Sequence, residues 1–234
     1  MKIQVLDHGY VEFVESWGTG VTRNHEDYER GIIEAARQST QGLFRGWDQD
    51  QKLLKFLYNN KHLTPFEFAG MIIEVQAPIF VFREWHRHRT QSYNEMSARY
   101  APLPDLYYEP RYERLFLNAG TTNKQANGVT SLDPDKAVGF TAQLDQLYKH
   151  AEDVYQRSLE MGIPKELARL VMPVGHYSRM RASANLRNWL QFLTLRLDPA
   201  AQWEIRQYAQ AVAQIIKAYF PQTYDLFMEV QNEH

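Results

Sequence analysis

Apolar and polar residues alternate imperfectly over about residues 2–15, where Val5, Val11 and Phe13 recur among polar neighbours. That period predicts strand. From about His25 to Arg37 the interval lengthens, with Tyr28, Ile32 and Ala35 at helical spacing. Gly42 and Gly46 mark a loop, and Leu53, Leu54, Leu57 and Tyr58 predict a helix over about 50–60. Ala69 to Ala77, with Ile72, Ile73 and Val75, predicts strand. Pro78 suits a first helical position. PIFVFREWHRHR is therefore expected to be a helix entering a polar site, with continuing strand as the alternative. Asn118 to Thr130 is expected to be an exposed loop.

The second half is expected to be mostly helical. Asp133-Pro134 is a cap followed by a helix opener. Ala137, Phe140, Leu144, Leu147, Ala151 and Val154 then form one apolar stripe. Such a stripe serves either the core or a partner subunit, and the core is the expectation. Gly162 ends that helix, and Pro164 can open another. Asp198-Pro199 repeats the cap-and-open signal before Ile205, Tyr208, Val212, Ile215 and Tyr219. Strands in front of helices predict an α+β fold, with a mixed or antiparallel sheet packed by long helices. No repeat or low-complexity linker divides residues 1–234, so one domain is expected. No GxGxxG fingerprint occurs, so a Rossmann crossover is not expected.

Composition narrows the chemistry. The 234 residues include no cysteine, which removes thiolate metal sites, disulfides and a cysteine nucleophile. Net charge is −2, whereas proteins that coat nucleic acid are usually basic. No apolar run reaches the roughly 18 residues of a membrane span. MKIQVLDHGYVEF lacks a signal core, so a cytoplasmic location is expected.

The densest polar stretch is FREWHRHRTQSYNEMSARY, ending at Tyr100. Arg83, Arg87, Arg89 and Arg99 outnumber Glu84 and Glu95 there. Guanidinium forks suit phosphate, and Ser92, Asn94 and Ser97 add neutral donors. By composition the stretch reads equally as a solvated ion-paired surface. A nucleic-acid patch is a second reading, and a metal site on His86 and His88 a third, without a further ligand at a recognisable spacing.

Residue order says more. Arg87-His88-Arg89, seven residues, then Ser97 within SYNEMSARY closely resembles the signature of flavin-dependent thymidylate synthases. The likeness extends along nearly the whole chain. Ala36-Arg37-Gln38-Ser39 resembles the family's ARxS element, and His62 with Thr64-Pro65-Phe66-Glu67 its HxTPFEH segment, although Phe68 replaces the usual last histidine. Ala77-Pro78-Ile79-Phe80, Ala168-Arg169 to Pro173, and NLRNWLQFLTLR from Asn185 to Arg196 continue it, followed by Ala201 to Ile205.

The resemblance implies an enzyme, a methyltransferase that makes dTMP from dUMP. Methylenetetrahydrofolate would be the carbon donor and NADPH the reductant, acting through FAD. The reduced flavin would deliver hydride to the uracil ring, which needs no thiol. It implies FAD contacts at Thr64, Arg87, His88, Arg89, Glu95, Asn185, Leu186, Arg187 and Gln191. It implies dUMP contacts at Glu84, Trp85, His86, Arg87, Glu95, Met96, Ser97, Ala98, Arg99, Arg169 and Arg196. Arg99 and Arg169 are the phosphate-clamp candidates, and a carboxylate at Glu84 is expected to order arginines. Arg196 matches the residue credited with ionising uracil N3. A guanidinium stays protonated, so it would act by stabilising the anion. Asn185, Trp189, Phe192 and Arg196 are expected along one helical stripe. The resemblance also implies a homotetramer with shared active sites, no metal, no nucleic-acid partner and no membrane.

Overall fold

The computed structural model describes residues 1–20, 27–40, 42–116 and 132–232. The expected loop 118–130 and the start of the helix at His25 lie outside the described residues.

The first apolar alternation folds as two strands, β1 (Lys2–Val5) and β2 (Gly9–Trp17), paired antiparallel from Lys2↔Glu12 to Val5↔Gly9. Leu6 takes φ 59° at the turn that separates them, and Asp7 accepts hydrogen bonds from the Tyr177 hydroxyl and from Glu109 N. α1 (Arg30–Arg37) and α2 (Trp47–Asn59) follow, with a 3₁₀ turn over Thr64–Phe68. β3 (Gly70–Pro78) buries Met71, Ile73, Val75 and Ala77 on one face, a strict two-residue period.

α3 (Ile79–Trp85) is shorter than PIFVFREWHRHR predicts. Tyr93 explains the stop, because its hydroxyl donates to the carbonyls of Trp85 (3.1 Å) and His88 (2.8 Å). Those are end carbonyls that a continuing helix would consume. β4 (Ser92–Glu95) comes next, then α4 (Pro134–Glu160) and α5 (Lys165–Ala168). β5 (Tyr177–Asn185) was not expected in the helical half; of its inward residues Ser178, Met180, Ala182 and Ala184, all but Met180 are small and weakly apolar. α6 (Leu186–Arg196), α7 (Trp203–Tyr219) and α8 (Pro221–Asn232) complete the chain. α7 opens four residues beyond Pro199, because Asp198 instead closes a turn onto Ala200 N (2.7 Å).

The fold is α+β, with five strands in the order β1-β2-β3-β5-β4 and every neighbour antiparallel. Eight α-helices are present among the described residues. None of them is long and apolar enough to cross a membrane. The main core joins the sheet's inner face to Val81, Phe82 and Trp85 of α3, Trp189 and Phe192 of α6, and the apolar face of α7.

The α4 stripe does not enter that core. Ala137 and Ala151 are buried, but Phe140 is 49% and Leu147 53% exposed. α4 instead packs through Tyr155 against Ala98, Leu103 and Ala168, a small separate cluster. The reason is geometric: the sheet's inner face is already covered by α3, α6 and α7.

Candidate active site

The signature segment leaves α3 at Trp85, turns through His86–Gln91, runs along the sheet edge as β4 and turns again at Ser97–Tyr100. Each bend brings a different set of predicted residues together.

At the first bend, Asn188 Nδ2 donates to the Thr90 carbonyl (3.3 Å), which ties the Arg-His-Arg turn to the start of α6. Asn185 is the N-cap of α6, accepting from Asn188 N (3.0 Å). Its strand position lies opposite Gly70. A Cβ on Gly70 would meet the Trp17 ring at 2.2 Å and the Ala184 carbonyl at 2.5 Å, so only glycine lets the strands close here. Arg187 reaches across to pair with Glu67 on the Thr64–Phe68 turn. Thr64, Arg87, His88, Arg89, Asn185 and Arg187 therefore lie on three segments joined through the start of α6. Leu186 is buried, its N–H bound to the Ala69 carbonyl (2.7 Å), and Gln191 is exposed on α6. Glu95 is not in this group. β4 carries it three residues along the edge, about 10 Å, to face Met180.

At the second bend, Met96 N binds the Arg179 carbonyl (2.7 Å). Ser97 Oγ accepts from Arg99 N (3.4 Å) and Arg99 Nε (3.3 Å), and the Arg99 guanidinium lies over the Tyr100 ring. Lys165 Nζ donates to the Tyr100 carbonyl (3.0 Å), and Ala98 packs with Ala168. These contacts bring the Arg99 turn beside exposed Arg169. Among the described residues Ser97 Oγ bonds only to Arg99, so no base stands ready to activate it as a nucleophile.

Arg196, at the end of α6, joins the two helices. It donates from Nε to His88 Nε2 (2.8 Å), from Nη1 to Glu84 Oε2 (3.1 Å) and from Nη2 to the Glu84 carbonyl (2.8 Å). The carboxylate at Glu84 does order an arginine, and that arginine is Arg196. Burial, and then the Arg196 charge, push the His88 imidazole down to about 4, so it is neutral and free to accept. Burial raises the Tyr93 phenol, with Arg196 pulling the other way.

Two expectations change here. The predicted α6 stripe exists, but its middle, Trp189 and Phe192, faces the core. Asn185 and Arg196 are thus held at opposite ends of α6, about 16 Å apart at 1.5 Å per residue. Trp85 is fully buried, stacked on Phe192 at 4.6 Å with Nε1 on Gln91 Oε1 (3.1 Å). Only its backbone can meet a ligand, and the same holds for Leu186 and Ala98, both buried. His86 is exposed, its ring edge-on to Tyr93 at 4.8 Å. Among the described residues no group of three His, Asp or Glu is placed to hold a metal.

The donor set fits a flavin dinucleotide. Arg87 and Arg89 make no ion pair among the described residues, and Gln91 Nε2 is buried without a partner. Unmatched donors beside a helix N-terminus suit a phosphate-rich, acceptor-rich ligand. Gln91 escaped the sequence reading. Its signal is a glutamine inside the signature with a tryptophan six residues before it.

The comparisons follow the same outline. The family model "Thymidylate synthase complementing protein" matches residues 21–222. A flavin-dependent thymidylate synthase of Thermotoga neapolitana is 36% identical over 98% of this chain and 95% of its own. One from Thermus thermophilus is 38% identical over 98% of this chain and 79% of its own. The crystal structure of the UMP/dUMP methylase PolB from Streptomyces cacaoi, bound with 5-Br dUMP, superposes with a TM-score of 0.81. It is 31% identical, with 97% of each chain covered. With the signature turn, its edge strand and α6 all in place, the chain belongs to the flavin-dependent thymidylate synthase family.

Proposed function

We propose that residues 1–234 form one flavin-dependent thymidylate synthase domain that converts dUMP to dTMP. Methylenetetrahydrofolate is the carbon donor, NADPH the reductant and FAD the cofactor. The observation that carries this reading is that unmatched Arg87 and Arg89 flank His88, which is bonded to a fixed Arg196, in a chain without cysteine. A cysteine attack on uracil is closed to this chain.

FAD, when bound, carries reducing equivalents from NADPH to the pyrimidine. Arg87, His88 and Arg89, with Thr64, Asn185, Leu186, Arg187 and Gln191, hold it, and Glu95 stands at its edge. Arg99 and Arg169 clamp the nucleotide phosphate, while Ser97, Ala98 and Met96 line the same bend and His86 with the Trp85 backbone the other. A clamp on the remote phosphate fixes the ring in register, where small displacements are costly. Arg196 stabilises the N3 anion of the pyrimidine with its charge-assisted N–H groups in a partly dry site.

A homotetramer with shared sites accounts for two features. Asn185 and Arg187 sit at the opposite end of α6 from Arg196, so one chain alone does not bring these two helix ends side by side. The exposed Phe140 and Leu147 on α4 offer an apolar face for a second subunit. A cytoplasmic location, with no nucleic-acid or membrane partner, goes with this reading.

The test is tritium release from dUMP labelled at C5, with methylenetetrahydrofolate and FAD, with and without NADPH. NADPH-dependent release with dTMP as product supports the assignment. Folded, FAD-loaded protein that releases none overturns it. UMP belongs in a parallel arm, because PolB is named a UMP/dUMP methylase and has also been solved with 5-Br UMP.

A further inference from the structure

Arg196 has five N–H donors. Three are engaged by the stretch Glu84–His88: Nε–H by the imidazole, one Nη1–H by the Glu84 carboxylate and one Nη2–H by the Glu84 carbonyl. Nη1 and Nη2 each keep one N–H with no partner among the described residues. A free arginine at a helix end would sample many rotamers. Here three acceptors leave it one geometry.

We propose that Glu84 is a positioning residue for Arg196, holding the guanidinium so that its two remaining N–H groups meet the pyrimidine edge of the nucleotide. This rests on the dUMP reading above. Glu84 touches the reacting ring only through Arg196. It also moderates that arginine, because a carboxylate 3.1 Å from Nη1 offsets part of the positive charge. The other groups facing Arg196 are neutral His88 on the turn and the Tyr93 phenol on β4; Phe192 on α6 adds an apolar wall beside His88.

Two variants separate the grip from the charge. Glu84→Gln keeps an acceptor and removes the negative charge. Glu84→Ala removes both acceptor and charge. The Glu84 side chain is 42% exposed, so neither change opens the core.

The flavin-loaded wild type and both variants are compared by tritium release across pH, and by nitrogen-15 histidine spectra without nucleotide. We expect Glu84→Ala to lower kcat/KM for dUMP about tenfold or more. We expect Glu84→Gln to lose less than about threefold at neutral pH, with the limb of its pH profile that reports pyrimidine ionisation moved down by about half a unit. In the spectra, a released Arg196 lets His88 titrate closer to its ordinary range in Glu84→Ala, whereas Glu84→Gln keeps it low. Superimposable pH profiles, with His88 titrating identically in all three proteins, overturn the proposal. A wild type that releases no tritium overturns the dUMP reading instead, and the His88 titration still reports whether Glu84 holds Arg196.

Discussion

The two bends of the signature segment are built differently. The first is assembled by long-range contacts: Arg196 reaches Glu84 and His88 across more than 100 residues of sequence, and the imidazole lies buried against Phe192. The second, Ser97–Tyr100, is exposed at Arg99 and Tyr100 and bonded mainly to itself. A group that must act on a fixed ring edge needs its orientation set before the ligand arrives. A group that closes on a phosphate can stay in water until the ligand orders it. The comparison therefore predicts that substitutions at the first bend cost stability and rate, and those at the second cost mainly affinity.

The largest break should come from Trp85→Ala, which empties the core beneath the first bend. A loss of about 4 kcal/mol is expected from transfer and cavity terms, read as a lower urea midpoint. Arg99→Ala should leave that midpoint unmoved.

Arg196→Ala comes next. It should lower kcat/KM for dUMP about a hundredfold, roughly 3 kcal/mol of transition-state stabilisation, with flavin content kept. A variant with full activity would dissolve the contrast between the bends.

Acid should then loosen the first bend selectively. His88 titrates near 6.5 when unfolded and about 4 when folded. Above 6.5 both states are neutral and the stabilisation is fully present. As pH falls from 6.5 toward 4 the unfolded chain takes up a proton that the folded chain refuses, so stability declines. Below 4 the imidazole protonates and its bond to Arg196 is lost. Urea midpoints measured between pH 7 and 4.5 should fall less steeply in His88→Gln than in wild type. In both proteins His176, also pushed down by burial, adds slope of the same sign, while Glu29, pushed up to about 7 by burial, adds slope of the opposite sign.

Smaller still, Arg99→Ala should raise KM for dUMP about tenfold, roughly the worth of one charge-assisted hydrogen bond, with kcat little changed. The smallest effect belongs to Ser97→Ala, which should keep kcat within about threefold, since its hydroxyl has no base beside it. A hundredfold fall in kcat would instead make Ser97 a nucleophile.

Much was legible in the chain itself. The strict alternation of β3, the Asp133-Pro134 start of α4 and the order of residues from Arg87 to Ser97 are local signals, and local signals survive without a fold. The absence of cysteine is likewise complete information, and it closes one chemical route outright. β5 was not read, because Ser178, Ala182 and Ala184 are small and give little apolar contrast, although Arg179 and Arg181 alternate with them. The early stop of α3 could not be read from its own residues, because it is enforced by Tyr93, eight positions beyond Trp85.

Tertiary packing settles which polar residues meet. Sequence put Glu84, His88 and Arg196 among the candidates, but their hydrogen bonds depend on α3 and α6 packing through Trp85 and Phe192. The same packing turned Trp85 away from any ligand and left the α4 stripe outside the core. Residue types fix which bonds are chemically available, whereas competition for a single buried sheet face fixes which of them form.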